Sequence, residues 1–131
     1  MSESRTLQSA YSFEDTFDKL RSALVAKGFT IFVTIDQRAA AKSVGLDMPP
    51  TTMIIYGNPR GGTPLMLAAP DFAIELPLRV VVREDAQGKT FVVFPLASAL
   101  EGKHGLPAGM AAKLAGSEAL IAAVIGAAKN N

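Results

Sequence analysis

The chain has no cysteine and only one histidine. Without thiols, disulfides, thiolate nucleophiles and thiolate metal ligands are all excluded. A single imidazole cannot form a histidine cage within the chain, and no carboxylate-rich pattern signals a metal, so neither metal nor cofactor is expected. Charge is scarce and balanced, with 13 Lys+Arg against 12 Asp+Glu and a formal net charge of +1. No two basic residues adjoin anywhere in the sequence. The concentrated basic surface that phosphate backbones require is missing, and no nucleic-acid partner is expected. Long apolar runs are missing too. The stretch 119–128 is about half the length of a membrane-crossing helix, so no membrane partner is expected. The N-terminal "MSESRTLQSA" lacks the basic start and apolar core of a secretory signal, and the expected location is cytoplasmic.

What remains is a globular composition. At 131 residues and 49% hydrophobic, the chain suits one domain, 1–131, with a core that needs no staples. Residues 4–10 read as a short polar edge strand. Ser12 then opens a helix, with Asp15 at the capping-box position. Phe13, Phe17, Leu20 and Leu24 form its apolar stripe, and Gly28 ends it. "FTIFVTI" and "TTMIIYG" read as strands on either side of a short helix capped by Asp36 and ended by Gly45. Short helical pieces follow, broken by Pro70 and Pro77. "LRVVVRED" and "TFVVFP" flank "AQGK", a hairpin turning on Gly88. From Pro107 onward, Met110, Leu114, Ile121, Val124, Ile125 and Ala128 share one face, which predicts a single long amphipathic helix over 107–128.

The expected fold is therefore α+β, with an antiparallel or mixed sheet of four to five strands and two long helices mainly on one face. The strands are apolar on both sides. Met53 and Ile55 oppose Ile54 and Tyr56, Val81 opposes Val80 and Val82, and Phe91 and Val93 oppose Val92 and Phe94. Such a sheet needs cover on both faces. Two helices blanket one, and a second copy of the chain is the simplest cover for the other, so a homodimer is expected. Loops or short helices are the alternative cover.

The stretch "YGNPRGGTP", residues 56–64, is the best candidate site. Asn58 before Pro59 favours an extended conformation that stops the strand. Gly61 and Gly62 permit a sharp turn, and Thr63 with Pro64 predicts a helix start. The amides of Gly61, Gly62, Leu65 and Met66 would then converge beside Arg60, seating a carboxylate or phosphate. A turn serving geometry alone is the competing reading. It is not a Walker loop, because the Lys and Ser/Thr after the second glycine are absent. His104 in "KHGLP" reads as a general base, a ligand donor or the finish of a short helix. Arg79 and Arg83 share one strand face, lining a cleft or pairing with Glu84 or Asp85 on a solvated edge. Asp71 and Glu75 read as a solvated pair without a partner.

The blocks "YSFEDTFDKLRSALVAKGF", "IIYGNPRGGTPLM", "IELPLRVVVRED" and "KHGL" resemble domain-of-unknown-function family 302. The likeness runs from about residue 12 to 106 within a family-like core of about 4–106, with the Ala-rich tail outside it. It implies an α+β fold with an antiparallel sheet, broadly like the repeat of the TATA-binding protein, and association as dimers. No activity comes with it. Three functions stay open. The first is a dimeric module binding a small anionic ligand through Asn58, Arg60, Gly61, Gly62, Thr63 and His104. The second is an assembly or partner-binding domain. The third is a small enzyme with His104 as acid or base and the loop amides stabilising developing charge.

Overall fold

A computed structural model describes residues 2–127. Its strands are β1 (Ser4–Gln8), β2 (Thr30–Asp36), β3 (Thr51–Gly57), β4 (Leu78–Glu84) and β5 (Thr90–Pro95). They form one sheet in the order β1-β5-β4-β3-β2, and every pairing is antiparallel. Polar β1 lies at one edge, as its composition predicts.

Helix α1 (Phe13–Ala26) begins where the capping pattern places it: the Ser12 hydroxyl accepts from the Asp15 N–H at 3.1 Å. Gly28, at φ +96°, turns the chain into β2. Helix α2 (Gln37–Ser43) is capped by Asp36 and buries none of its residues. Helix α3 (Pro59–Ala68) leads into a 3-10 turn over Pro70–Glu75 and a cis Leu76–Pro77 bond before β4. Helix α4 (Gly116–Val124) packs beside α1 on one face of the sheet.

The main core lies under α1 and α4. Leu20, Leu24 and Ile121 meet Ile54, Val80, Val82 and Val92, all fully buried. Each such side chain contributes roughly 1.5–3 kcal/mol by leaving water. A second cluster fills the sheet end where β3 and β5 stop and β4 starts. It joins Leu65, Phe72, Ala97, Leu100, Leu106 and Leu114.

The C-terminal segment departs from the expected single helix. A 3-10 turn at Ala111–Leu114 precedes α4, and Gly109 (φ +82°) stands before it. Leu114 and Ile121 are two helical turns apart and would share a face in one rod. They serve different clusters instead, and the break before Gly116 allows it. Ala128, placed on that helix by its periodicity, lies outside the described residues.

The opposite face of the sheet is apolar but incompletely covered. Register aligns Ile35, Met53, Val81 and Val93 in one row across four strands. Met53, Val81 and Val93 are half-buried, while Val33 and Ile35 are 47% and 37% exposed. Arg79 and Arg83 flank the row from β4, a central strand, not the solvated edge expected of them. Among the described residues neither pairs with Glu84 or Asp85. Arg83 instead lies over the Phe91 ring, 4.9 Å from its centre.

Candidate functional site

Strand β3 passes directly into α3 at Gly57 and Asn58. Asn58 is the helix cap, its Oδ1 accepting from the Arg60 N–H at 3.0 Å. Its carbonyl accepts from the N–H groups of both Gly61 and Gly62, each at 2.9 Å. The helix thus starts at Pro59, not at Thr63. Two cap-then-proline pairs compete here, and Asn58–Pro59 wins because it sits where the strand already ends. Pro64 falls inside α3. Leu65 and Met66 are beyond the first turn, where helical amides already have partners. The converging free amides expected at this loop are therefore not formed. Arg60 is exposed and belongs to no ion pair among the described residues.

His104 is placed elsewhere. It adopts φ +55° in the turn Lys103–Gly105, and its Nε2 lies 2.8 Å from Glu75 Oε2. Phe72 meets its ring edge-on at 6.3 Å. Glu75, read as unpartnered, is thus the group that engages the histidine.

The loop does line a cavity of about 430 Å³. Asn58, Gly61, Gly62 and Thr63 form one side of it; Arg60 and His104 do not contribute. Phe29, Phe32, Met66, Leu76, Pro77 and Leu114 supply apolar wall, and Lys27 and Lys113 supply the charge. Three local devices shape it. Strand β2 carries a bulge between Ile31 and Val33, so Phe32 is the extra residue, and bulges re-aim side chains in this way. Gly57 makes room for that ring, since a Cβ there would approach Phe32 Cε2 to 3.3 Å and Pro77 Cβ to 3.7 Å. At Gly61 a Cβ would meet no atom within 4 Å, so the wall is open there. Lys27 and Phe29 belong to the "KGF" block already visible in the sequence, joined by the positive-φ Gly28. Nothing local marks Lys113.

A second cavity, of about 280 Å³, shares Pro77, Leu78 and Leu114 with the first. It is the more polar of the two, and several of its groups are engaged. Glu118 accepts from the Ala97 N–H at 2.8 Å, Lys103 faces Glu3 at 3.7 Å, and Tyr56 Oη bonds Ser117 Oγ at 2.9 Å. Burial pushes the Tyr56 phenol above its ordinary value of 10.0.

A one-sided α+β sheet with an apolar cavity at its end defines the class of protein. The chain belongs to the family described as "Domain of unknown function DUF302", whose model matches residues 5–125. The match passes Leu106 and takes in α4, which the sequence resemblance left outside. A solved relative, the uncharacterized conserved protein DUF302 from Bacillus stearothermophilus, superposes with a TM-score of 0.81. That likeness covers 96% of this chain and 98% of the other at 20% identity, and establishes the fold. Among curated proteins, "Fluoride-specific ion channel FluC 1" of Brucella suis biovar 1 (strain 1330) is 34% identical over 101 residues, 77% of this chain. The protein of the same name from Brucella abortus biovar 1 (strain 9-941) is equally similar over 101 residues. The chain spans only 40% and 37% of the length of these two relatives. Among the described residues, no helix is long and apolar enough to cross a membrane.

Proposed function

We propose that this chain is a non-enzymatic homodimeric module that binds a small organic ligand in the cavity at the end of β3. The carrying observation is that cavity: about 430 Å³, largely apolar, and lined by the glycine-rich turn. Ligand pockets span about 300–1,000 Å³ and combine apolar walls with few polar groups. The test is displacement of light. Nile red, a neutral dye that brightens in apolar sites, is expected to bind the wild type. Gly61→Phe, which projects a ring into open space without meeting backbone, is expected to abolish that signal. Equal brightening in both proteins, or none in either, overturns the ligand site.

The open row Ile35, Met53, Val81 and Val93 supports the second copy. Light scattering across a dilution series is expected to give a dimer mass that falls to monomer in Val81→Arg. A wild-type monomer at every concentration removes this part of the reading.

In the Brucella relatives a comparable segment forms part of proteins named as fluoride-specific channels. Since this chain supplies no membrane-crossing helix among its described residues, we place the conducting part of those relatives outside the matched segment. Fluoride itself suits the cavity poorly. A bare small anion would leave the largely apolar wall in contact with water, and the Gly61 and Gly62 amides are already taken by the Asn58 carbonyl.

A further inference from the structure

Resting on the reading of the β3-end cavity as a ligand site, we propose that its ligand is an amphipathic acid. One anionic head lies between Lys27 and Lys113, and an apolar body lies against Phe32, Met66, Leu76 and Pro77.

The charge on the wall is one-signed. Lys27 and Lys113 both line the cavity, and no Asp or Glu does. Neither lysine forms an ion pair among the described residues. In a chain with 13 basic and 12 acidic residues, two cations on one small cavity with no acid beside them are not the average surface. The positions are also polarised. Lys27 follows the last turn of α1, and Lys113 lies in the turn before α4, so both enter from the helix layer. Phe32, Leu76 and Pro77 enter from the sheet end and the segment before β4. Both cations thus come from the helix layer, each beside an apolar lining residue (Phe29 and Leu114), and hydrocarbon makes up most of the remaining wall. A bare inorganic anion would leave the apolar wall in contact with water, and a neutral hydrocarbon would leave two ammonium groups uncompensated beside it. A molecule with both parts satisfies both. The 52% exposure of Phe32 fits a mouth through which the body enters.

The experiment compares ligands that differ only in the head. Decanoate, decanol and decylamine, each below its micelle-forming concentration, compete with bound Nile red, and inorganic phosphate serves as the bare anion. Decanoate is expected to compete at least about tenfold more strongly than decanol, as charge-assisted contacts imply. Decylamine is expected to be weakest and phosphate inert. In the double variant Lys27→Met, Lys113→Met, which keeps the length of the stems, acid and alcohol are expected to converge while Nile red still binds. Decanol or decylamine matching decanoate in the wild type overturns the acid class and leaves the ligand site standing. Displacement by phosphate alone, or an acid preference that survives in the double variant, also overturns it. Failure of Nile red itself to bind removes the ligand site and this inference together.

Discussion

The two faces of the sheet are built from the same β-branched residues and meet different conditions. Under α1 and α4, Ile54, Val80, Val82 and Val92 are fully buried. Two hydroxyl pairs enter that face, Tyr56 with Ser117 at 2.9 Å and Ser9 with Thr16 at 2.6 Å. On the other face the apolar row keeps partial exposure and stands between two arginines that form no ion pair among the described residues. One face carries the stability of the single chain; the other carries surplus apolar surface that the single chain does not use. Neighbouring residues of β3 separate the two roles. At a dilution where only monomer is present, Ile54→Ala is expected to lose about 2–5 kcal/mol in urea denaturation, as buried truncations do. Ile55→Ala is expected to lose only about 1 kcal/mol there, because part of its surface is already wet. Equal losses would mean that the chain's own elements seal both faces.

The closed face makes a second expectation, intermediate in size. Burial raises the Tyr56 phenol pKa, the Ser117 hydrogen bond opposes this, and the Glu118 charge adds to it. Below the ordinary value of 10.0 the phenol is neutral in both folded and unfolded chains and gives no pH dependence. Above it the unfolded chain ionises first and binds fewer protons, so stability falls as pH rises toward the higher folded value. Urea denaturation between about pH 9 and about pH 11 is expected to show a steeper fall in the wild type than in Tyr56→Phe. At neutral pH the same variant is expected to cost about 1–2 kcal/mol, since it leaves the Ser117 hydroxyl without its buried partner. Parallel pH curves would show that this hydroxyl pair is open to water.

What could be foreseen followed from how local each signal is. Helix α1 announces itself within a few residues, through Ser12, Asp15 and the Phe13–Leu24 stripe. The strands do so by alternation, and the two-sided sheet follows from reading both parities. The cavity was half visible. Asn58, Gly61, Gly62 and Thr63 line it because they lie within one short turn, but the sequence reads Asn58 only as a strand stop and Thr63 as the cap, whereas Asn58 is the cap. Propensity cannot rank two cap-then-proline pairs; the end of β3 does. Lys27 and Lys113 come to line one cavity only through tertiary packing, which brings α4 beside α1. The pairing of His104 with Glu75 spans 29 positions and has no periodic signature. In the Ala-rich tail, helix propensity was overridden by Leu114, which the second cluster claims.

The smallest expected effect belongs to the open face. The Arg83 guanidinium lies 4.9 Å from the centre of the Phe91 ring, a cross-strand pair two residues along β4 and β5 from the apolar row. In water such a contact is worth about 0.5–1 kcal/mol, and it strengthens to about 2 kcal/mol or more when desolvated. Arg83→Ala is therefore expected to cost less than about 1 kcal/mol in dilute protein. At concentrations where the proposed dimer would form, the cost is expected to grow, because the stacked cation would then lose its water. Denaturation at two protein concentrations reads both values. A cost that grows places Arg83 inside the contact between copies. A cost that stays constant places Arg83 outside the proposed contact between copies.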